Sequence, residues 1–196
     1  MSKIAVYGGT FDPVHNGHLI TALYLLETRE LDKIIFIPSF ISPHKIEQNS
    51  SNSVHRLNMV NLALQDYPKF EYSDFEIIQG EISYTYKTLQ ELRKQYENIE
   101  LVIGFDNLVT FTEWKYPEKI VGLAKLVVLK REIDEKHYKT NKFFPYAEIV
   151  NSPIIEISST QIRERVATGK NISPLVPQKV KEYIYKEELY KQKDLL

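Results

Sequence analysis

The sequence predicts a doubly wound α/β fold on a parallel sheet, and three observations carry that prediction. Short apolar runs of strand composition recur at residues 4–7, 33–37, 99–103 and 125–129. Segments with helical spacing lie between them, and this alternation pairs strands in parallel through right-handed crossovers. Turn formers follow three of the runs, at Gly8, Pro38 and Gly104. Sheets of this kind bind ligands beyond the carboxyl ends of their strands. Gly8, Gly104 and Ser158 each stand just past strand-like sequence, so three turns are expected along one rim.

Taken in order, residues 4–7 give the first strand and residues 19–30 the helix after it. The second strand, 33–37, is closed by Pro38. Residues 38–52 carry prolines, serines and asparagines and read as a long loop, with Ser53 as the next N-cap. From 54 to 65, Val54, Leu57, Val60, Leu62 and Leu64 recur at helical spacings, and Met59 and Ala63 fill out one side. Residues 70–78 have strand composition. Ser83-Tyr84-Thr85 precedes a helix with Leu89 and Leu92 that runs to about Tyr96. Residues 117–123 suggest a short helix before the strand at 125–129. The charged stretch 130–146 reads as loop with one helical turn. Ile149-Val150 and residues 154–157 supply the last strand material. Ser158 to Gln161 fits a capping box that opens a helix to about Thr168. An amphipathic helix over 177–189 closes the sequence, as a C-terminal helical segment.

The 196 residues, 43% hydrophobic and 26% charged, suit one domain spanning 1–196. A formal net charge of -1 gives no global attraction to nucleic acid or to an anionic membrane, so anion binding must come from local sites. The absence of cysteine excludes disulfides and thiolate metal sites. No apolar run reaches membrane-spanning length, and Met-Ser-Lys before a strand is not signal-like; a cytoplasmic location is expected. Monomer and homodimer both stay open.

Chemistry concentrates in Gly8-Gly9-Thr10-Phe11-Asp12-Pro13-Val14-His15-Asn16-Gly17-His18. A strand, a glycine-rich turn and a helix start are the layout of a phosphate site, where backbone N–H groups and the positive helix end face one anion. Gly8 and Gly9 can take backbone angles that other residues avoid. His15 and His18, three residues apart, can face one way. The stretch is neither the Rossmann nor the Walker A pattern. A tight turn capped at Asn16-Gly17 with two surface histidines, a weak metal pair and a phosphate site all fit the spacing. Ser158 to Arg163 is a second helix start with hydroxyls and a fork donor, or a plain capping box. Pro43-His44-Lys45 on the long loop is either a charged lid or an incidental turn. Arg165, His55 and His137 read as surface residues.

These stretches together resemble the H-x-G-H nucleotidylyltransferases. More narrowly, they are similar to the bacterial nicotinate-nucleotide adenylyltransferases of NAD synthesis. Besides Gly8 to His18, the sequences Pro43-His44-Lys45, Ser83-Tyr84-Thr85, Ile103-Gly104-Phe105-Asp106, Trp114 and Ile157-Ser158-Ser159-Thr160-Gln161-Ile162-Arg163 recur in family order. The resemblance implies a Rossmann-like nucleotidylyltransferase domain. It implies transfer of the adenylyl group of ATP to nicotinate mononucleotide, giving nicotinate adenine dinucleotide and pyrophosphate, with Mg²⁺ carried on ATP. It gives His15, His18, Lys45 and Arg163 to the reacting phosphates. Gly8, Gly9, Thr10, Phe11, Gly104, Asp106, Ile157, Ser158, Ser159 and Thr160 go to ATP, with Asp106 as the ribose acid unless it caps a helix. His44, Lys45, Ser83, Tyr84, Thr85, Trp114 and Lys115 go to the nicotinate nucleotide. Where the family often has an aromatic residue after the tryptophan, this sequence has Lys115 and then Tyr116, so a lysine can serve as charge partner there. Amide-specific and phosphopantetheine enzymes, a regulatory nucleotide-binding module and a nucleic-acid-binding protein are the competing readings.

Overall fold

The computed structural model describes residues 2–42, 50–130 and 141–191. The strand that opens the sequence, β1 (Lys3–Gly9), becomes the centre of a six-stranded sheet. With β2 (Lys33–Pro38), β3 (Phe70–Tyr72), β4 (Asn98–Gly104), β5 (Lys125–Leu129) and β6 (Ala147–Val150), the order is β3-β2-β1-β4-β5-β6. Every adjacent pair is parallel. The chain reverses its winding between β1 and β4, which opens a crevice at the carboxyl ends of those two strands.

Alternate strand residues feed two cores. Ala5, Ile34, Phe36, Val102 and Val127 pack under α1 (Asn16–Thr28), α2 (Ser53–Leu64), α7 (Ser159–Ala167) and α8 (Gln178–Lys186). Ile4, Val6, Ile35, Leu101, Leu126 and Val128 pack under α4 (Thr85–Leu92), α5 (Phe105–Val109) and α6 (Pro117–Leu123). Burial on both faces explains why the strands read as continuous apolar runs instead of alternating ones. At the amino-terminal rim Arg29 grips Glu100 and Glu148 together, so charge closes that end of the sheet. The other rim stays open.

Several expectations change. Residues 70–78 are not one strand: β3 ends at Tyr72, and α3 (Phe75–Gln79) follows. Ser73 Oγ accepts the Phe75 N–H at 3.3 Å, and Gly80 at φ 63 stops the helix, so local caps override the β composition. Residues 154–157 pair with no strand, and the segment leads from β6 into α7. The N-cap of α2 is Asn52, whose side chain accepts the Val54 N–H, and not Ser53. The buried side of α2 is Arg56, Met59, Val60, Ala63 and Leu64, while Val54 is 53% exposed. His55 is not a bare surface residue, because its Nδ1 lies 2.9 Å from the Tyr183 hydroxyl on α8. Arg165 folds back onto the Asn171 carbonyl.

Candidate active site

β1 delivers Gly8 and Gly9 to the crevice, and neither has a positive φ. Their value is the missing side chain. Gly8 faces open space, whereas a Cβ on Gly9 would stand 3.0 Å from the Phe11 ring. The left-handed residue of the turn is Phe11, at φ 50, and its ring is buried. Phe11 can therefore offer a ligand its main chain only. The helix cap is also displaced from expectation: His15, not Asn16, is the N-cap of α1.

The two histidines are stacked, with ring centroids 3.6 Å apart. The His15 backbone N–H donates to His18 Nδ1 at 3.2 Å, which leaves the His18 proton on Nε2, on the far side of the ring from the cap. Gly17 is required by the same arrangement, since a Cβ there would stand 3.0 Å from His15 Nδ1. Tyr7 and Phe11 pack edge-on against His18. His18 keeps some exposed surface, while His15 is 6% exposed.

Burial in this aromatic setting holds both imidazoles neutral. It lowers the His15 pKa from 6.5 to about 4, and it pushes His18 well below its usual value, with His15 adding to the shift. Between pH 6.5 and 4 the unfolded chain binds more protons than the folded one, so stability is full above pH 6.5 and is lost as pH falls toward 4. His15 alone should cost about 2 kcal/mol at pH 5, or about 4–8 °C in the thermal midpoint relative to pH 7.5. His15→Gln should shrink that pH dependence. A midpoint equally pH-dependent in the variant would contradict the buried neutral state.

α7 docks onto the same turn. Ser159 Oγ donates to the Pro13 carbonyl at 2.9 Å, and Arg163 donates to the Asp12 carbonyl at 2.8 Å and to Thr160 Oγ1 at 3.2 Å. Ser158 and Gln161 form the expected capping box, so the Ser158 hydroxyl is occupied by the Gln161 N–H. The hydroxyls of Ser158 and Ser159 thus hold the fold together, and the N–H groups of the first turn are what the helix offers an anion. Ile157 packs against the core beneath α7.

Two residues missed in the sequence organise this region. Asp12 is buried and accepts from Ser51 N–H at 3.1 Å, from the Ser51 hydroxyl, and from the Tyr190 hydroxyl at 2.6 Å. Arg56, 1% exposed, spends its guanidinium on four carbonyls: Thr10 at 2.8 Å, Ser39 at 2.6 Å, Phe40 at 2.9 Å and Ser51 at 3.1 Å. Burial lowers its pKa and nearby Asp12 draws it back up. One side chain thereby fixes the glycine turn and both flanks of residues 43–49. His44 and Lys45 lie in that segment, outside the described residues. The signal for Arg56 was its place one turn before Met59 and Val60 on the buried stripe.

Beside the turn, at the crevice between β1 and β4, lies a cavity of about 810 Å³. Gly8, Gly9, Thr10, Gly104 and Asp106 line it with Ser83, Tyr84, Thr85, Trp114 and Lys115, so these expected ATP and pyridine residues share one cavity. Asp106 lies in the first turn of α5, whose N-cap is Gly104 and not Asp106. His15, His18, Arg163 and Ser158 to Thr160 do not line this cavity but stand at the adjoining turn. Trp114 is half-buried and packs on Phe111. Glu76, also missed, reaches the same cavity: it accepts from Thr88 Oγ1 at 2.6 Å and from the Ser83 hydroxyl, and burial raises its pKa. Ser83 in turn accepts the Phe40 N–H at 2.9 Å. The start of α4 is thus wired to the Arg56 network. Among the described residues, no three His, Cys, Asp or Glu side chains converge as a metal cage, and no helix is long and apolar enough to cross a membrane.

Comparison with known proteins agrees with this geometry. The profile of the cytidylyltransferase-like family matches residues 6–165. The chain is 40% identical over 200 residues to a protein of Clostridium tetani (strain Massachusetts / E88) described as a probable nicotinate-nucleotide adenylyltransferase, covering 97% of this chain and 100% of that one. A protein of Caldicellulosiruptor bescii with the same description is 38% identical over 196 residues, with 97% and 100% covered. The fold is also that of the Plasmodium falciparum nicotinic acid mononucleotide adenylyltransferase solved with NaAD, at a TM-score of 0.78 and 24% identity, covering 97% of this chain and 98% of that one.

Proposed function

This chain belongs to the cytidylyltransferase-like family and, within it, to the nicotinate-nucleotide adenylyltransferases, and from that premise we propose how its residues carry the reaction. The enzyme transfers the adenylyl group of ATP to nicotinate mononucleotide, giving nicotinate adenine dinucleotide and pyrophosphate in NAD biosynthesis. The observation that best supports a role for these residues is the neutral, stacked His15–His18 pair fixed beside the α7 N-terminus at the edge of the cavity.

A 5′-phosphate oxygen of nicotinate mononucleotide attacks the α-phosphorus of ATP in line. The bond to the bridging oxygen breaks and its electrons leave with pyrophosphate. The attacking oxygen is already ionised, so the protein needs to position and to stabilise charge, not to form a covalent intermediate. His18 donates from Nε2 to phosphate oxygens as negative charge builds, and His15 braces its ring. The first-turn N–H groups of α7, with Arg163, hold the β- and γ-phosphates. His44 and Lys45 are assigned to the phosphates on sequence grounds. Mg²⁺ carried on the triphosphate would supply neutralisation of phosphate charge, and such ions are commonly held by phosphates with few protein ligands. Gly104 and Asp106 take the ATP ribose. Trp114 offers a face to the pyridine ring, and Ser83, Tyr84 and the Thr85 N–H frame its edge. The enzyme works in the cytoplasm.

The direct test supplies ATP and Mg²⁺ with nicotinate mononucleotide, nicotinamide mononucleotide or phosphopantetheine in parallel and measures pyrophosphate. Release is expected chiefly with the nicotinate nucleotide. Preference for the amide would overturn the substrate, and no release with any of them would overturn the reaction.

A further inference from the structure

Most lysines among the described residues sit against carboxylates, as in the pairs Lys33–Glu71, Lys87–Glu81 and Lys142–Glu118. Lys115 and Lys119 do not. Lys115 Nζ lies 4.9 Å from the centre of the Tyr116 ring, and Lys119 Nζ lies 4.6 Å from the same ring and 5.9 Å from Tyr86. Glu118, their acidic neighbour in sequence, is engaged by Lys142 at 2.8 Å. Among the described residues no carboxylate pairs with either ammonium, and Glu113 on the same cavity wall makes no ion pair with them.

The ring that seats them is itself fixed. Tyr116 is the N-cap of α6 with φ 54, and Tyr86 meets it edge-on at 4.9 Å. Tyr116 and Lys115 line the cavity next to Trp114, together with Tyr84 and Thr85 from the start of α4.

A lysine paired with a carboxylate presents little net charge to its surroundings. A lysine on an aromatic face is held by the ring quadrupole, which carries no net charge, so its positive field persists. Two such ammoniums on one ring repel each other, and an incoming anion relieves that repulsion. We propose that Lys115 and Lys119, seated on Tyr116, supply the positive charge that selects the nicotinate carboxylate over the neutral amide. The inference rests on the reading of nicotinate mononucleotide as substrate and adds Lys119, which no sequence motif marks.

The test is kcat/KM for the nicotinate and the nicotinamide nucleotides, in the unmodified enzyme and in Lys115→Gln, Lys119→Gln and the double variant. The acid-to-amide ratio should fall about fivefold in each single variant and further in the double, as expected for partly solvated charges. The loss should be several-fold larger for the acid substrate than for the amide. Lys119→Arg should keep the ratio. Raising salt from about 0.05 to about 0.5 M should narrow the ratio of the unmodified enzyme. Equal losses with both substrates would overturn the proposal, since the lysines would then serve the shared phosphate or the fold; so would an unchanged ratio. An unmodified enzyme that does not favour the acid would instead refute the substrate reading.

Discussion

Replacing His18 by alanine is expected to lower turnover by about a hundredfold, the usual cost of losing one donor aimed at developing charge. The side chain has two duties, and they separate by atom. Nδ1 accepts the His15 backbone N–H, while Nε2 carries the proton that the proposed mechanism offers to phosphate. His18→Asn retains a short acceptor for the cap and removes the Nε2 donor. Both variants should therefore lose turnover alike, with the asparagine variant closer to full thermal stability. Steady-state pyrophosphate release and thermal unfolding check this. Near-normal turnover in His18→Asn would take His18 out of the chemistry.

Arg56→Met is expected to produce the largest loss of stability, about 3–5 kcal/mol. The methionine fills part of the volume but leaves the carbonyls of Thr10, Ser39, Phe40 and Ser51 without their donor. In a chain of this size that is a fall of about 6–20 °C in the thermal midpoint. Arg56→Lys should recover little, since one ammonium cannot reach four carbonyls set out for a planar fork. Calorimetry decides the matter: a midpoint within a few degrees of the unmodified protein would mean that water replaces the guanidinium.

The central sheet was legible because its strands are apolar on both faces, and the bounds of α6 and β5 coincide with the sequence reading. The Ser158 cap was legible because its determinants are three residues apart. Short-range signals fail where a long-range partner decides the structure. The isoleucines at 77 and 78 and at 154 and 155 have β propensity, but propensity alone does not place a segment in a sheet: the first pair lies in α3 and the second joins no strand. Arg56 on a buried stripe looks like an error in amphipathicity until four carbonyls from other segments surround it. Glu76 carries no motif, and its setting comes from Ser83 and Thr88, in other elements. The glycine-rich motif pointed to the histidines, but not to the burial that lowers their pKa values.

The turn around Asp12 is assembled from both ends of the chain. Asp12 receives the Tyr190 hydroxyl and offers its carbonyl to Arg163, Pro13 receives Ser159, and Asn16 bonds to Leu175 and Pro174. During translation, residues 9–18 leave the ribosome about 145–180 positions ahead of the partners that fix them. A nascent chain halted before Tyr190 already contains the six strands of the sheet and the cavity residues, yet still lacks the Tyr190 bond to the Asp12 turn. The Asp12 turn therefore closes only after the whole cavity wall has been synthesised.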